Sequence, residues 1–200
     1  MITNQLRLPA MNNFRPFYFI TGIICTVLLC FSFISTPSPN SNNLSANEAD
    51  NTINWMTWNE AIAANATTPK KTFVYIKTGW CGWCKRMNGN AFINTTVIAY
   101  LNENFYPVKL DAEMKEEIIY KGHTFKYVNN GRRGHHELAA SLMDDQMSYP
   151  TIVALDESEN RITIAPGFKD STDIMPILTY IGDDNYKTMS FQEYEKKLAE

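Results

Sequence analysis

Cysteine is scarce in this sequence: four in 200 residues, at Cys25, Cys30, Cys81 and Cys84. That is too few to staple a small secreted scaffold, so any folded domain must be held together by apolar burial. Charge of one sign is also missing. Eighteen Lys and Arg against 21 Asp and Glu leave a formal net charge of -3, with none of the basic excess of a nucleic-acid-binding surface, and no nucleic-acid partner is expected. No Lys or Arg occurs between Arg15 and Lys70, and no internal repeat or low-complexity tract interrupts the chain from Trp55 onward. What remains, 44% hydrophobic and 20% charged, is the composition of an ordinary soluble fold.

The gap in positive charge coincides with "FYFITGIICTVLLCFSFIS", an apolar run from Phe17 to Ile34 preceded by Arg7 and Arg15. Cations before the run and none after it keep the start cytoplasmic and export the remainder. Residues 1–35 are therefore read as a signal peptide or membrane anchor, and the protein as periplasmic or otherwise extracytoplasmic. The run comes close to the roughly 20 residues that span a bilayer, and no small-x-small cleavage site follows it. "VLLC", ending at Cys30, has Leu29 where a lipid-attachment box expects a small residue. Cleavage, retention of residues 17–34 as an anchor, and lipidation at Cys30 all stay open; Cys25 and Cys30 read as apolar filler. Residues 36–54, polar and rich in Asn and Ser, read as a flexible linker, and residues 55–200 as one domain.

Helical and strand signals alternate in that domain. Thr57 followed by Glu60 is a reciprocal capping box and predicts a helix from Trp58 to about Ala64. "KTFVYIKT" is a β-branched and aromatic run that stops at Gly79; "CKRMNGNAF" and "NTTVIAYLNENF" are helical, the second capped by Asn94; "YPVKLDAE" is the next strand. Later, "ELAASLM" predicts a short helix, and "TIVALD" and "RITIAPGF", joined by "ESEN", an antiparallel hairpin. In "STDIMPILTYI", Pro176 fits the first turn of a helix, which places the cap near Asp173. Ser190 and Glu193 repeat the capping box before a last helix. A mixed sheet with helices on both faces is implied.

The chemistry concentrates in "TGWCGWCKRM", Thr78 to Met87. Two cysteines at this spacing can be a redox pair, half of a metal site, a haem attachment point, or two inert thiols. Covalent haem expects His after the second Cys, where Lys85 stands; a metal site needs further soft ligands, for which His123, His135 and His136 are the only histidines. A Cys between a strand and the first turn of a helix feels the positive helix end and unpaired amides, which favours thiolate. Cys81 is so placed, and Cys84, one turn on, can close a disulfide with it across Gly82 and Trp83. Gly82 leaves the Cys81 sulfur uncrowded, Trp80 and Trp83 offer a flat apolar rim for an extended partner chain, and Lys85 adds a modest positive field.

"W-C-G-W-C-K-R-M", the upstream "W-N-E-A-I", the downstream "F-Y-P-V-K-L-D-A-E" and the late "S-Y-P-T" together resemble the thioredoxin superfamily in its exported branch, over about Trp55 to Ile181. The resemblance implies an α/β thioredoxin-like fold, a central mixed sheet flanked by helices, with an insertion at about 113–136 before the cis-proline strand and an extra carboxy-terminal helix. It further implies that Cys81 attacks, Cys84 resolves, Pro150 is a cis-proline facing the pair, and Tyr149 and Gly167 belong to the same substrate-binding rim as Trp80, Gly82 and Trp83. No cofactor and no metal are then expected. The partners are protein thiols and disulfides, with a membrane electron donor and a membrane contact through the amino-terminal segment if it is uncleaved.

Two departures from that pattern stand out. Six residues before Cys81, where thioredoxins carry a buried carboxylate that relays protons, this chain has Tyr75, so proton transfer must use another group or water. The insertion is longer than a minimal thioredoxin needs and reads as a hairpin flap, with Arg132, Arg133, His135 and His136 in a solvated loop leading into a helix. The expected function is extracytoplasmic thiol-disulfide exchange, in the reductase direction. The competing reading is a non-catalytic binding module that uses the Cys pair and the insertion to capture a partner or metal.

Overall fold

Thr57 opens the first helix through the reciprocal cap its sequence predicts: its hydroxyl accepts from the Glu60 amide at 3.3 Å, and the Glu60 carboxylate accepts from the Thr57 amide at 2.7 Å. The structure, a computed structural model, describes residues 51–129, 131 and 133–200. The leader or anchor at 1–35, with Cys25 and Cys30, lies outside the described residues, as do most of the linker and Arg132.

In chain order the elements are α1 (Trp58–Thr67), β1 (Thr72–Lys77), α2 (Gly82–Asn88), a single 3-10 turn at Ala91–Ile93, α3 (Thr95–Asn104) and β2 (Tyr106–Asp111). The insertion then forms β3 (Ile118–Tyr120), β4 (His123–Phe125), β5 (Tyr127–Val128) and β6 (His135–His136) before α4 (Glu137–Leu142). The hairpin β7 (Thr151–Leu155) and β8 (Arg161–Pro166) follows, then α5 (Ser171–Gly182), a second 3-10 turn at Asn185–Lys187, and α6 (Phe191–Leu198). The sheet order is β2-β1-β7-β8: β1 runs parallel to β2 and antiparallel to β7, and β7 is antiparallel to β8.

Every residue of β1 but the last is buried, because both faces of the sheet are covered. The period of two in a strand divides them. Phe73 and Tyr75 join Met87, Leu101 and Ile174 in one apolar cluster, which also contains Cys81 and Cys84. Val74 and Ile76 join Trp58, Val108 and Leu138 in the other. The result is a three-layer α/β domain with the cysteines on the α2–α3–α5 side. This order of elements around a mixed sheet is the thioredoxin fold, with the sequence-predicted insertion and extra carboxy-terminal helix in place.

Two local expectations need correction. The cap of α5 is Asp170, not Asp173: its carboxylate accepts from the Thr172 and Asp173 amides at 2.8 and 2.9 Å, and Pro176 sits inside the helix. A proline there removes one backbone donor, at a cost of about 3 kcal/mol in a helix interior. Two capped amides and the burial of Ile174, Ile177, Leu178 and Ile181 outweigh that local preference. The insertion, read as one flap, is instead two short antiparallel hairpins, β3 with β4 and β5 with β6.

Candidate active site around the Cys81–Cys84 disulfide

The turn Thr78–Cys81 takes the chain from the end of β1 to the start of α2, and Cys81 occupies the N-cap of that helix. An N-cap side chain accepts from an amide of the first turn; here the acceptor is sulfur, with the Cys84 amide donating to Cys81 Sγ at 3.0 Å. The two cysteines form a disulfide, Cα to Cα 5.2 Å. Cys81 is only 4% exposed and Cys84 1%, whereas the neighbouring indoles of Trp80 and Trp83 are 49% and 56% exposed. A partner therefore meets the tryptophans first and the sulfurs between them.

Beneath α2, Tyr75 is fully buried in an aromatic cluster with Trp55 and Phe92, and its hydroxyl donates to the Cys84 carbonyl at 3.1 Å. Burial drives that hydroxyl far above the ordinary phenol range. Tyr75 thus stays neutral: it is a strut under the second cysteine and no substitute for a carboxylate base. On the adjoining loop, the Tyr149–Pro150 peptide is cis, and the Pro150 carbonyl accepts from the Gly167 amide at 2.8 Å. Gly167 has φ +87°, left-handed backbone that a side chain would strain. Tyr149 meets Trp80 edge to face at 6.0 Å, and its hydroxyl is pushed up to about 12 by burial, with the carboxylates of Glu113 and Asp111 adding to the effect.

Several rim residues escaped the sequence reading. Glu113, just past β2, accepts from Trp80 Nε1 at 3.0 Å, and the Arg133 guanidinium lies 3.9 Å from the centre of the same indole. On the other side, Trp83 packs against Phe168 at 5.5 Å, with Arg86 at 5.3 Å from the Trp83 ring and 5.6 Å from that of Phe168. The one signal available beforehand was the insertion's length, since extra chain placed next to a reactive strand end has to go somewhere.

The solvated-loop reading of the insertion holds at Arg133, which is exposed and lies over the Trp80 ring, and is corrected at His136. His136 is fully buried as the N-cap of α4: Nδ1 accepts from the Leu138 amide at 3.3 Å, and Nε2 lies 3.0 Å from the Glu116 carbonyl, to which it donates in the neutral ring. Burial lowers its pKa, against the opposing pull of the Glu116 carbonyl and of the Glu137 and Glu116 charges. His123 stands edge-on to Phe125 at 4.5 Å. Among the described residues, no three His, Cys, Asp or Glu side chains gather as they would around a metal ion. No helix among them is long and apolar enough to cross a membrane, and the run at 17–34 lies outside them.

The fold and the CxxC pair thus define a thioredoxin-like protein. More particularly, the chain belongs to the Thioredox_DsbH family, described as a protein of unknown function (DUF255), whose model matches residues 38–165. An uncharacterized protein of Caenorhabditis elegans is 29% identical over 87 residues, 43% of this chain, and the match spans only 12% of that relative's length. Among solved structures, a DsbH oxidoreductase is 12% identical, with a TM-score of 0.47 over 66% of this chain and 85% of that one. A putative disulphide-isomerase from Bacteroides thetaiotaomicron is 21% identical, with a TM-score of 0.46 over 64% of this chain and 90% of that one.

Proposed function

We propose that this protein is a thiol-disulfide oxidoreductase that reduces protein disulfides outside the cytoplasm. The observation that carries the reading is the Cys84 amide donating to Cys81 Sγ at the head of α2. In the reduced protein the same amide favours a thiolate on Cys81 over one on Cys84, which makes Cys81 the attacking group. The Cys81 thiolate attacks one sulfur of a substrate disulfide, forming a mixed disulfide and releasing a substrate thiolate. Cys84 then attacks the Cys81 sulfur, freeing the second substrate thiolate, and the Cys81–Cys84 disulfide closes. Two electrons reach the substrate, and the Cys84 proton leaves to the departing thiolate or to water. A dithiol donor, placed in the membrane by this reading, returns the pair to the reduced state.

The reductase direction rests on what stabilises the thiolate. Dithiol proteins range from about -270 mV for thioredoxin to about -120 mV for a strong oxidant, the oxidising end being reached by stabilising the reduced form. Gly82 and Trp83 supply no charge between the cysteines, and the rim guanidiniums of Arg86 and Arg133 are held over the Trp83 and Trp80 rings, leaving the Cys84 amide as the group that bonds the Cys81 sulfur directly. Tyr149, Pro150 and Gly167 form the docking edge in this reading, and Trp80, Gly82 and Trp83 the rest of the rim. Residues 1–35 are the leader or anchor, 36–54 the tether and 55–200 the catalytic domain.

The test is reduction of insulin by dithiothreitol with the wild type, Cys81→Ser and Cys84→Ser. Wild type accelerates it, Cys81→Ser does not, and Cys84→Ser accumulates mixed disulfides through Cys81. Acceleration that survives Cys81→Ser would overturn the assignment.

A further inference from the structure

The disulfide offers a partner almost no surface of its own, so selection among substrates falls to the groups around it. Those groups are unequal in charge. Arg133 covers Trp80 and Arg86 covers Trp83 and Phe168, so a guanidinium flanks the disulfide on each side. Lys85 follows the second cysteine on an exposed turn of α2, and the Lys169 ammonium is held beside Gly167 by the carbonyls of Pro166 and Gly167 at 2.8 and 3.3 Å. Of the neighbouring carboxylates, Asp111 is paired with the Lys77 ammonium, and Glu113, which accepts from the Trp80 N–H, is the one negative charge among these rim groups against four cations. Four cations, Lys85, Arg86, Arg133 and Lys169, thus lie around the Cys81–Cys84 disulfide of a chain whose net charge is -3.

Neither arginine is placed by chance of sequence proximity alone. Arg86 is fixed by α2, between Cys84 and the buried Met87. Arg133 is carried by the insertion, and Gly134 beside it is packed so tightly that a Cβ would lie 2.2 Å from the Val128 carbonyl oxygen and 2.3 Å from the Tyr127 ring. The Gly134 amide donates to the Tyr127 hydroxyl at 3.0 Å. The backbone next to Arg133 is therefore clamped, and its guanidinium is presented on the indole face with its N–H edges available to an acceptor.

Resting on the oxidoreductase reading above, we infer that the substrates of this site are extended polypeptide segments with Asp or Glu flanking the reactive cysteine. A carboxylate on either side of the substrate sulfur meets a planar guanidinium, which suits it bidentately, while the apolar backbone and side chains lie along the tryptophans. The local field also draws acidic segments in faster than neutral or basic ones.

The experiment uses the full-length chain, purified in mild detergent and reduced, with three disulfide peptides that differ only in Glu, Gln or Lys beside the cysteines. Exchange is followed by tryptophan fluorescence. The expected order is Glu, then Gln, then Lys, with a Glu-to-Lys rate ratio of about tenfold at low ionic strength that falls toward unity near 1 M salt. The double variant Arg86→Gln/Arg133→Gln cuts the ratio to about threefold or less, Arg133→Lys keeps the salt-dependent part of it but loses the part owed to the planar, stacked guanidinium, and Lys196→Gln on α6 leaves it as in wild type. Equal rates for the three peptides, or a ratio that persists in high salt or in the double variant, overturn the inference and leave the exchange activity standing. No exchange with any peptide overturns the oxidoreductase reading and the inference with it.

Discussion

The sheet face beneath the cysteines and the insertion beside them are held in different ways. The first is redundant: Phe73 alone meets the rings of Trp55, Phe92 and Phe105, and Tyr75 meets two of the same cluster while bonding the Cys84 carbonyl. The second is held by Ile118 and Tyr120, which pack on the Trp58 side of the sheet, while its Arg133 end rests on fewer contacts between short strands: one glycine under Tyr127, one histidine between the Leu138 amide and the Glu116 carbonyl. Redundant packing makes the sulfur geometry hard to perturb. Sparse packing leaves the Arg133 side of the rim adjustable without disturbing the sulfurs.

The comparison breaks most visibly at Phe73. Phe73→Ala removes a fully buried ring and is expected to destabilise the domain by about 3 to 5 kcal/mol, with disulfide exchange and thermal unfolding lost together. A variant that melts near the wild-type temperature would show the cluster to be less cooperative than its contacts imply.

Gly134→Ala sharpens the contrast. The added methyl must displace the Val128 backbone, with an overpacking cost of about 1 to 3 kcal/mol. The loss should appear as faster amide exchange and proteolysis in β5, β6 and the segment between them, while the protection of β1 and β7 holds. Uniform loss across both regions would mean that the insertion and sheet unfold as one unit.

Acid supplies the smallest effect and the same contrast. His136 titrates below its ordinary range because it is buried, so its folded pKa lies under that of the unfolded chain. Its contribution is complete above the unfolded value, about 6.5, and is lost as pH falls through the folded value, since only the unfolded chain takes up the proton first. Protonation at Nδ1 would set an N–H against the Leu138 amide. Hydrogen exchange between neutral pH and pH 5 should show the start of α4 and β6 loosening before β1; a His136→Gln variant with the same pH profile would remove the histidine as the cause.

Much of the fold is legible where local and global demands agree. The β-branched and aromatic run "TFVYIK" announces a strand, the Thr57 and Ser190 boxes mark two helix starts, and the strand-to-helix position of Cys81 identifies the sulfur that takes the N-cap. It is illegible where distant residues decide. Pro176 suggests a later cap because the apolar face of α5 is not visible as burial until Ile174 and Ile177 meet the core. "RRGHH" reads as a solvated loop throughout because His136 has its deciding partner at Glu116, in another part of the insertion, and the contact of the exposed Arg133 with Trp80 joins residues far apart in sequence.

Tyr75 has one more consequence, for the ledger of charge inside the domain. A carboxylate at its position would have to be desolvated as an anion or held protonated, and a buried ion without a well-bonded partner costs several kcal/mol. A phenol that donates to a backbone carbonyl brings no ion into the core in either redox state. The oxidised and reduced forms can then share one electrostatic interior, and under the proposed exchange the thiol protons would have to leave outward, toward solvent and substrate, rather than through it.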